Sequence, residues 1–123
     1  MKPASILVTD DESNIRLTVR RALETDGYVV NEACNGREAM DAIARQMPDL
    51  MVLDLNMPVM DGMSVLEHLK GLAATNKPRV IVLTAYGSIA TAVKATRLGA
   101  VEFMEKPIVP AELRHPRCIT CYT

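Results

Sequence analysis

The sequence predicts an α/β domain with a doubly wound parallel sheet, and three observations support this fold class. Short apolar runs rich in Val, Ile and Leu alternate with longer amphipathic stretches along the chain. Continuous apolar strands that alternate with helices imply a parallel sheet covered on both faces. The length of 123 residues is sufficient for one domain with a single core.

Five apolar runs predict the strands of this sheet. Each run is bounded by polar residues or by Gly, which is typical of buried strands. In chain order they are Ser5–Thr9, Tyr28–Glu32, Leu50–Leu55, Arg79–Thr84 and Val101–Met104.

Four amphipathic stretches predict helices between the strands, because their apolar residues recur at helical spacing. The stripes are Ile15, Val19 and Leu23; Met40, Ile43, Ala44 and Met47; Val65, Leu66, Leu69 and Leu72; and Ile89, Val93 and Thr96. Gly99 predicts the end of the fourth helix. Residues 110–114 begin like a helix with Pro at its first turn, but Pro116 interrupts it. A fifth helix is therefore predicted to be short or missing, and residues 115–123 are expected to be an atypical C-terminal tail.

Composition excludes several classes of protein. The formal net charge of −1 and the pI of about 6.1 argue against a domain that grips nucleic acid directly. Aromatic residues make up only 3%, which disfavours stacking on single-stranded nucleic acid. No apolar stretch approaches the roughly 18 residues of a membrane span, so we expect no membrane contact and a cytoplasmic location. Three cysteines in a core-forming chain do not predict a disulfide scaffold.

Polar side chains lie at the end of four predicted strands or shortly after it. Asp10 and Asp11 follow the first strand, Asp54 ends the third, Thr84 ends the fourth and Lys106 follows the fifth. Ligands of open parallel sheets bind beyond the carboxyl ends of the strands, so these groups are expected to share one rim. Capping of the first helix by Asp10 or Asp11 is the structural alternative for this pair.

This set of groups suits phosphoryl transfer. Crowded carboxylates repel one another, and a hard cation such as Mg²⁺ with oxygen ligands relieves that repulsion. Lys106 supplies a charge and Thr84 a hydroxyl for a phosphoryl group, while an Asp can act as the nucleophile that forms an aspartyl phosphate. The predicted chemistry is transfer of a phosphoryl group onto one Asp.

Four short motifs stand at the predicted strand ends: Asp10-Asp11, Leu53-Asp54-Leu55-Asn56-Met57-Pro58 with Asp61-Gly62, Leu83-Thr84-Ala85 and Glu105-Lys106-Pro107. With these motifs the sequence resembles a known family, the receiver domain of bacterial two-component response regulators. The similarity covers roughly residues 4 to 114, so residues 1–114 are taken as the receiver domain. The stretch Thr84–Val93, with Leu98-Gly99-Ala100 and Glu105-Lys106-Pro107, is similar to receivers of enhancer-binding activators of the nitrogen-regulation type.

The resemblance implies a role for each matching position and the flavodoxin-like strand order 2-1-3-4-5. Asp54 matches the phosphoacceptor, while Asp10, Asp11, Asp54 and the backbone carbonyl of Asn56 match the site of Mg²⁺ or Mn²⁺. The remaining matches are the switch residues Thr84 and Phe103, the phosphoryl-binding Lys106, a cis bond between Lys106 and Pro107, and Asn56 with Tyr86 as positions that tune phosphoryl lifetime.

The resemblance also implies partners: a sensor histidine kinase, an output domain or protein outside this chain that is expected to regulate transcription, and a second copy in a homodimer. On this reading the chain is a phosphoacceptor regulator and not an enzyme, beyond slow self-catalysed phosphorylation and dephosphorylation. Two alternatives stay open. One is a metal-dependent phosphatase with an aspartyl-phosphate intermediate, although Asn56 stands where such enzymes carry a second Asp. The other is a docking module that is never phosphorylated.

Overall fold

Five parallel strands form one sheet in the order β2-β1-β3-β4-β5, with helices on both of its faces. The computed structural model describes residues 3–73, 77–85 and 87–107. The elements are β1 (Ser5–Thr9), α1 (Ser13–Thr25), β2 (Val29–Ala33), α2 (Gly36–Arg45), β3 (Leu50–Leu53), α3 (Gly62–Lys70), β4 (Arg79–Thr84), α4 (Ile89–Arg97) and β5 (Ala100–Glu105). The predicted fold class and strand order are confirmed.

Three strands have boundaries that differ from the predicted ones, because hydrogen-bond register decides where a strand begins and ends. The strand β2 is shifted by one residue, to Val29–Ala33, so that Val29 pairs with Ser5 and Ala33 pairs with Thr9. The strand β3 ends at Leu53, opposite the last residue of β1, so Asp54 and Leu55 lie beyond it. The strand β5 gains one residue at each end.

The core divides into two clusters, one on each face of the sheet. Alternate residues of β1, β3 and β4 enter opposite clusters, as the two-residue period of a strand requires. On one face Val19 and Leu23 of α1 pack against the sheet, and the other face is covered mainly by α2 and α3.

Two predicted helix faces are wrong in part. Ala44 of α2 is exposed, and Ala39 of the same helix is buried instead. The predicted stripe of α4 points outward: Ile89 is 87% exposed, Val93 is 44% exposed and Thr96 is exposed. The residue of α4 that is buried is Ala95, a small side chain that does not stand out in an apolar pattern.

Local interactions set the helix ends around the rim. Glu12 is the N-cap residue of α1 and makes no side-chain capping bond, so capping by Asp10 or Asp11 is wrong. At the start of α3 a Cβ on Gly62 would overlap the carbonyl oxygen of Asp54, so only glycine allows this close approach. The helix α4 ends where predicted, just before Gly99.

Some predictions fall outside the described residues. These are the short or missing fifth helix, the tail at residues 115–123 and the assignment of Tyr86. Within the described ranges, none of the helices has both the length and the apolar character needed to cross a membrane.

Candidate functional site

The predicted site residues come from four neighbouring strands that end at the same edge of the sheet. Asp10 and Asp54 lie one residue beyond β1 and β3, and backbone hydrogen bonds hold them to the adjoining strands. The amide of Asp10 donates to the carbonyl of Ala33 at 3.1 Å, and the amide of Asp54 donates to the carbonyl of Thr9 at 2.9 Å. Parallel pairing thus brings residues distant in sequence to one rim.

One ammonium group connects three of the acids. The Nζ of Lys106 lies 2.7 Å from Oδ2 of Asp10, 3.3 Å from Oε1 of Glu12 and 3.4 Å from Oδ2 of Asp54. The amide of Lys106 donates to the carbonyl of Thr84 at 3.0 Å, which ties the lysine to the end of β4. The bond between Lys106 and Pro107 is cis. Buried charges in such a network are compensated by pairing.

The Asp54 carboxylate is buried but borders a cavity. Its residue is 4% exposed, and the cavity of about 320 Å³ is lined by Asp11, Glu12, Asp54, Asn56, Ala85 and Lys106. The second oxygen of Asp54, Oδ1, accepts a hydrogen bond from the amide of Asn56 at 3.3 Å. A small anionic group in this cavity would lie beside both Asp54 and the Lys106 ammonium.

The acids offer an oxygen donor set that fits a hard divalent cation. Carboxylate oxygens of Asp10, Asp11 and Glu12 lie within 4.8 Å of one another, and Asp54 borders the same cavity as Asp11 and Glu12. Mg²⁺ prefers one or two carboxylates together with water and phosphate oxygens. The structure therefore brings together Asp10, Asp11 and Asp54 as expected and adds Glu12, which the sequence interpretation did not assign.

Burial and pairing shift the pKa values of two groups. Burial raises the pKa of the Asp10 carboxyl above its ordinary value of 3.8, and the hydrogen bonds from Lys106 and from the Glu12 amide only partly oppose this. Burial alone would lower the pKa of Lys106, but its hydrogen bond to Asp10 and the charges of Asp10 and Asp54 outweigh that effect, so the pKa rises above 10.5. The lysine is therefore a cation at neutral pH.

The two predicted switch residues lie beside this site at different depths. Thr84 is fully buried at the end of β4. Phe103 is half-buried in β5, pairs in register with Val82 and packs against the core cluster. A Cβ on Gly87, which precedes α4, would lie 3.0 Å from the Phe103 ring, so Gly87 lies directly against the aromatic side chain.

Comparison with protein families decides the assignment. The model of the response regulator receiver domain matches residues 6–116. The chain belongs to the response regulator receiver family. A relative of similar length is sporulation initiation phosphotransferase F of Bacillus subtilis (strain 168), which is 34% identical over 93% of this chain and 90% of that protein. The response regulator MprA of Mycolicibacterium vanbaalenii is 40% identical over 90% of this chain. The receiver chain spans about half of MprA, because only 47% of that protein is covered.

Solved structures of receivers superpose closely on this receiver domain. A response regulator from Chloroflexus aurantiacus has a TM-score of 0.85 at 29% identity, with 93% of each chain covered. A response regulator from Burkholderia pseudomallei has a TM-score of 0.84 at 32% identity, covering 95% of this chain and 67% of that one. The latter structure contains a phosphorylated aspartic acid, a calcium ion and citrate.

Proposed function

We propose that this receiver domain is a phosphorylation-operated switch in which Asp54 accepts a phosphoryl group from a sensor histidine kinase or a small phosphodonor in the cytoplasm. An oxygen of the Asp54 carboxylate attacks phosphorus, the bond to the donor's leaving group breaks, and an acyl phosphate forms. The observation that carries the proposal is the single Lys106 ammonium placed against both Asp54 and Asp10.

Each group around Asp54 has a proposed task. Lys106 offsets the negative charge that gathers on the phosphoryl oxygens, and the amide of Asn56 keeps the carboxylate turned toward the cavity. The acids and the Asn56 carbonyl would hold Mg²⁺ or Mn²⁺, which supplies further charge neutralisation. The aspartic acid phosphorylated in the Burkholderia pseudomallei regulator, with calcium in the same structure, supports this assignment.

The proposed output is a change in the surface formed by α4 and β5. Thr84 moves toward the new phosphoryl group and Phe103 turns into the space that it leaves. Three large apolar side chains of α4 and β5 are already exposed there: Ile89 (87%), Val93 (44%) and Val101 (47%). Such a surface suits a protein partner, namely an output domain that controls transcription, or a second copy of this chain in a homodimer.

Intact-mass analysis after incubation with Mg²⁺ and acetyl phosphate tests the proposal. We expect the wild-type chain to gain the mass of one phosphoryl group and the Asp54→Asn variant to gain none. Asp61→Asn is a matched control, since Asp61 is an exposed acid of the same loop whose side-chain oxygen caps α3, and Asn keeps a capping oxygen. This control should be phosphorylated like the wild type.

Three outcomes would contradict the switch. Labelling that persists in Asp54→Asn would move the phosphoacceptor elsewhere. Repeated turnover of a generic phosphomonoester would favour a phosphatase. Failure to bind Mg²⁺ or a beryllofluoride mimic of the phosphoryl group would favour a docking module.

A further inference from the structure

Arg16 of α1 contacts the backbone of the acidic site without touching the cavity. Its Nη1 donates to the carbonyl oxygen of Asp10 at 2.7 Å, and its Nε donates to Oε1 of Glu32 at 3.0 Å. The side chain is only 17% exposed. A planar guanidinium that uses two donors on two fixed acceptors has little freedom to move.

The acceptor Glu32 is itself held in place. Its other oxygen, Oε2, accepts from Nη1 of Arg20 at 2.7 Å, and Arg20 also pairs with Glu24 at 3.2 Å. Glu32 belongs to β2, at the edge of the sheet, and pairs in register with Val8 of β1. Arg16 therefore ties the end of β1 to a rigid ion-pair network on β2 and α1.

The contact with Asp10 matters because of the geometry of the peptide unit. The Asp10 carbonyl lies in the same planar unit as the amide and Cα of Asp11, so fixing that oxygen fixes the direction in which the chain enters Asp11. The Asp10 side chain is already set by the Glu12 amide at Oδ1 and by Lys106 at Oδ2. Arg16 supplies the remaining constraint on the turn that presents Asp10, Asp11 and Glu12 together.

We propose that Arg16 is a positioning residue that holds the Asp10–Asp11 peptide so that the acidic side chains converge on a divalent cation. This inference rests on the proposed function, because it takes these acids as the cation's ligands. Arg16 acts through the backbone and is not itself a ligand.

The chain offers a matched control in Arg20. Both arginines lie on α1 and pair with Glu32, but only Arg16 reaches Asp10. The test compares Arg16→Met, Arg16→Lys and Arg20→Met with the wild type. Mn²⁺ is the probe, and its dissociation constant is measured from the electron paramagnetic resonance signal of the free ion.

We expect Arg16→Met to bind Mn²⁺ about tenfold more weakly, in the range of other outer-sphere contacts. Arg20→Met should stay within about twofold of the wild type, since an exposed ion pair contributes little. The Mn²⁺ affinity of Arg16→Lys should lie between those of the other two variants, because one ammonium cannot reproduce both hydrogen bonds of the guanidinium. The rate of labelling by acetyl phosphate should follow the same order in half-saturating Mg²⁺, with the maximal rate nearly unchanged.

Wild-type affinity in Arg16→Met would overturn the inference. Equal weakening in Arg20→Met would also overturn it, because the effect would then come from the shared pairing with Glu32. Urea unfolding of each variant shows whether it is folded. If Arg16→Met does not fold, the Mn²⁺ affinity of Arg16→Lys tests the proposal instead. An Arg16→Lys affinity equal to that of Arg20→Met would reject the proposal. If neither the wild type nor any variant is phosphorylated but the Mn²⁺ affinities differ as expected, the proposed function is wrong and the positioning role of Arg16 is retained.

Discussion

The strands β3 and β5 lie in the same sheet but differ sharply in burial. All four residues of β3 are buried, whereas in β5 only Ala100 is. The adjoining helices differ in the same way: α3 buries Gly62, Val65, Leu66 and Leu69, and α4 buries only Ala95. The strand β3 pairs on both sides, with β1 and β4, while β5 pairs with β4 at the edge of the sheet.

This difference bears on how the proposed switch at the rim would act. Asp54 follows the fully buried β3, and Lys106 follows the less buried β5, so their ion pair joins two regions of unequal burial. Tightly packed interiors resist displacement, and regions with few buried contacts open and shift more readily. A new charge on Asp54 should therefore move α4 and β5 more than β3. The local hydrogen bonds of the capping box between Ser88 and Thr91 hold the start of α4.

The largest effect that separates the two regions is a core truncation. Leu53→Ala should lower the free energy of unfolding by about 3 kcal/mol, because Leu53 is fully buried and its loss leaves a cavity. Ile89→Ala in α4 should change it by less than about 0.5 kcal/mol, because that side chain is 87% exposed. Urea denaturation followed by circular dichroism measures both. Equal costs would show that the contrast in burial has no energetic counterpart.

A smaller effect concerns a polar group inside the packed region. The hydroxyl of Thr9 is buried, and no described residue forms a hydrogen bond with it. Thr9→Val should raise the free energy of unfolding by about 1 kcal/mol, because it removes an unsatisfied polar atom and conserves shape. The exposed Thr18, whose hydroxyl bonds to the Asn14 carbonyl, provides the comparison, and Thr18→Val should give no gain. A loss of stability in Thr9→Val would mean that the hydroxyl has a partner in solution.

The smallest expected effect is a pH dependence at Asp10. The raised pKa of its carboxyl means that the folded state binds this proton more tightly than the unfolded chain does. The contribution of Asp10 to the free energy of unfolding of the wild type therefore decreases as the pH rises from 3.8 through the raised pKa of the folded state. Asp10→Asn lacks this titration, so it should become more stable relative to the wild type as the pH rises toward neutrality.

Urea midpoints of wild type and Asp10→Asn across this pH range, without divalent cations, provide the measurement. Glu32, whose pKa is lowered chiefly by its hydrogen bond from Arg20, titrates in both proteins and cancels from the difference. An increase in the urea midpoint of the wild type relative to that of the variant with rising pH would contradict the expectation. It would show that pairing with Lys106 outweighs the cost of burying the carboxylate.

Much of the fold and of the candidate site could be predicted from the sequence because both depend on pattern. Apolar runs locate the strands, and parallel strands end at one edge, so the alternation alone implies that Asp10, Asp54 and Lys106 share a rim. The boundaries of β2, β3 and β5 required the register between strands. Ala44 and the outward side of α4 were misassigned because hydrophobic spacing identifies a helix face without showing what packs against it.

The sequence by itself determined the order of the elements, the family motifs and the chemical groups available at the rim. Only the tertiary structure decided which of those groups meet: that Lys106 also pairs with Glu12, and that Arg16 bonds to the carbonyl of Asp10. The physical reason is that periodicity reports burial averaged over an element. The choice of partner depends on distances of a few ångströms between side chains that only the packed chain brings together.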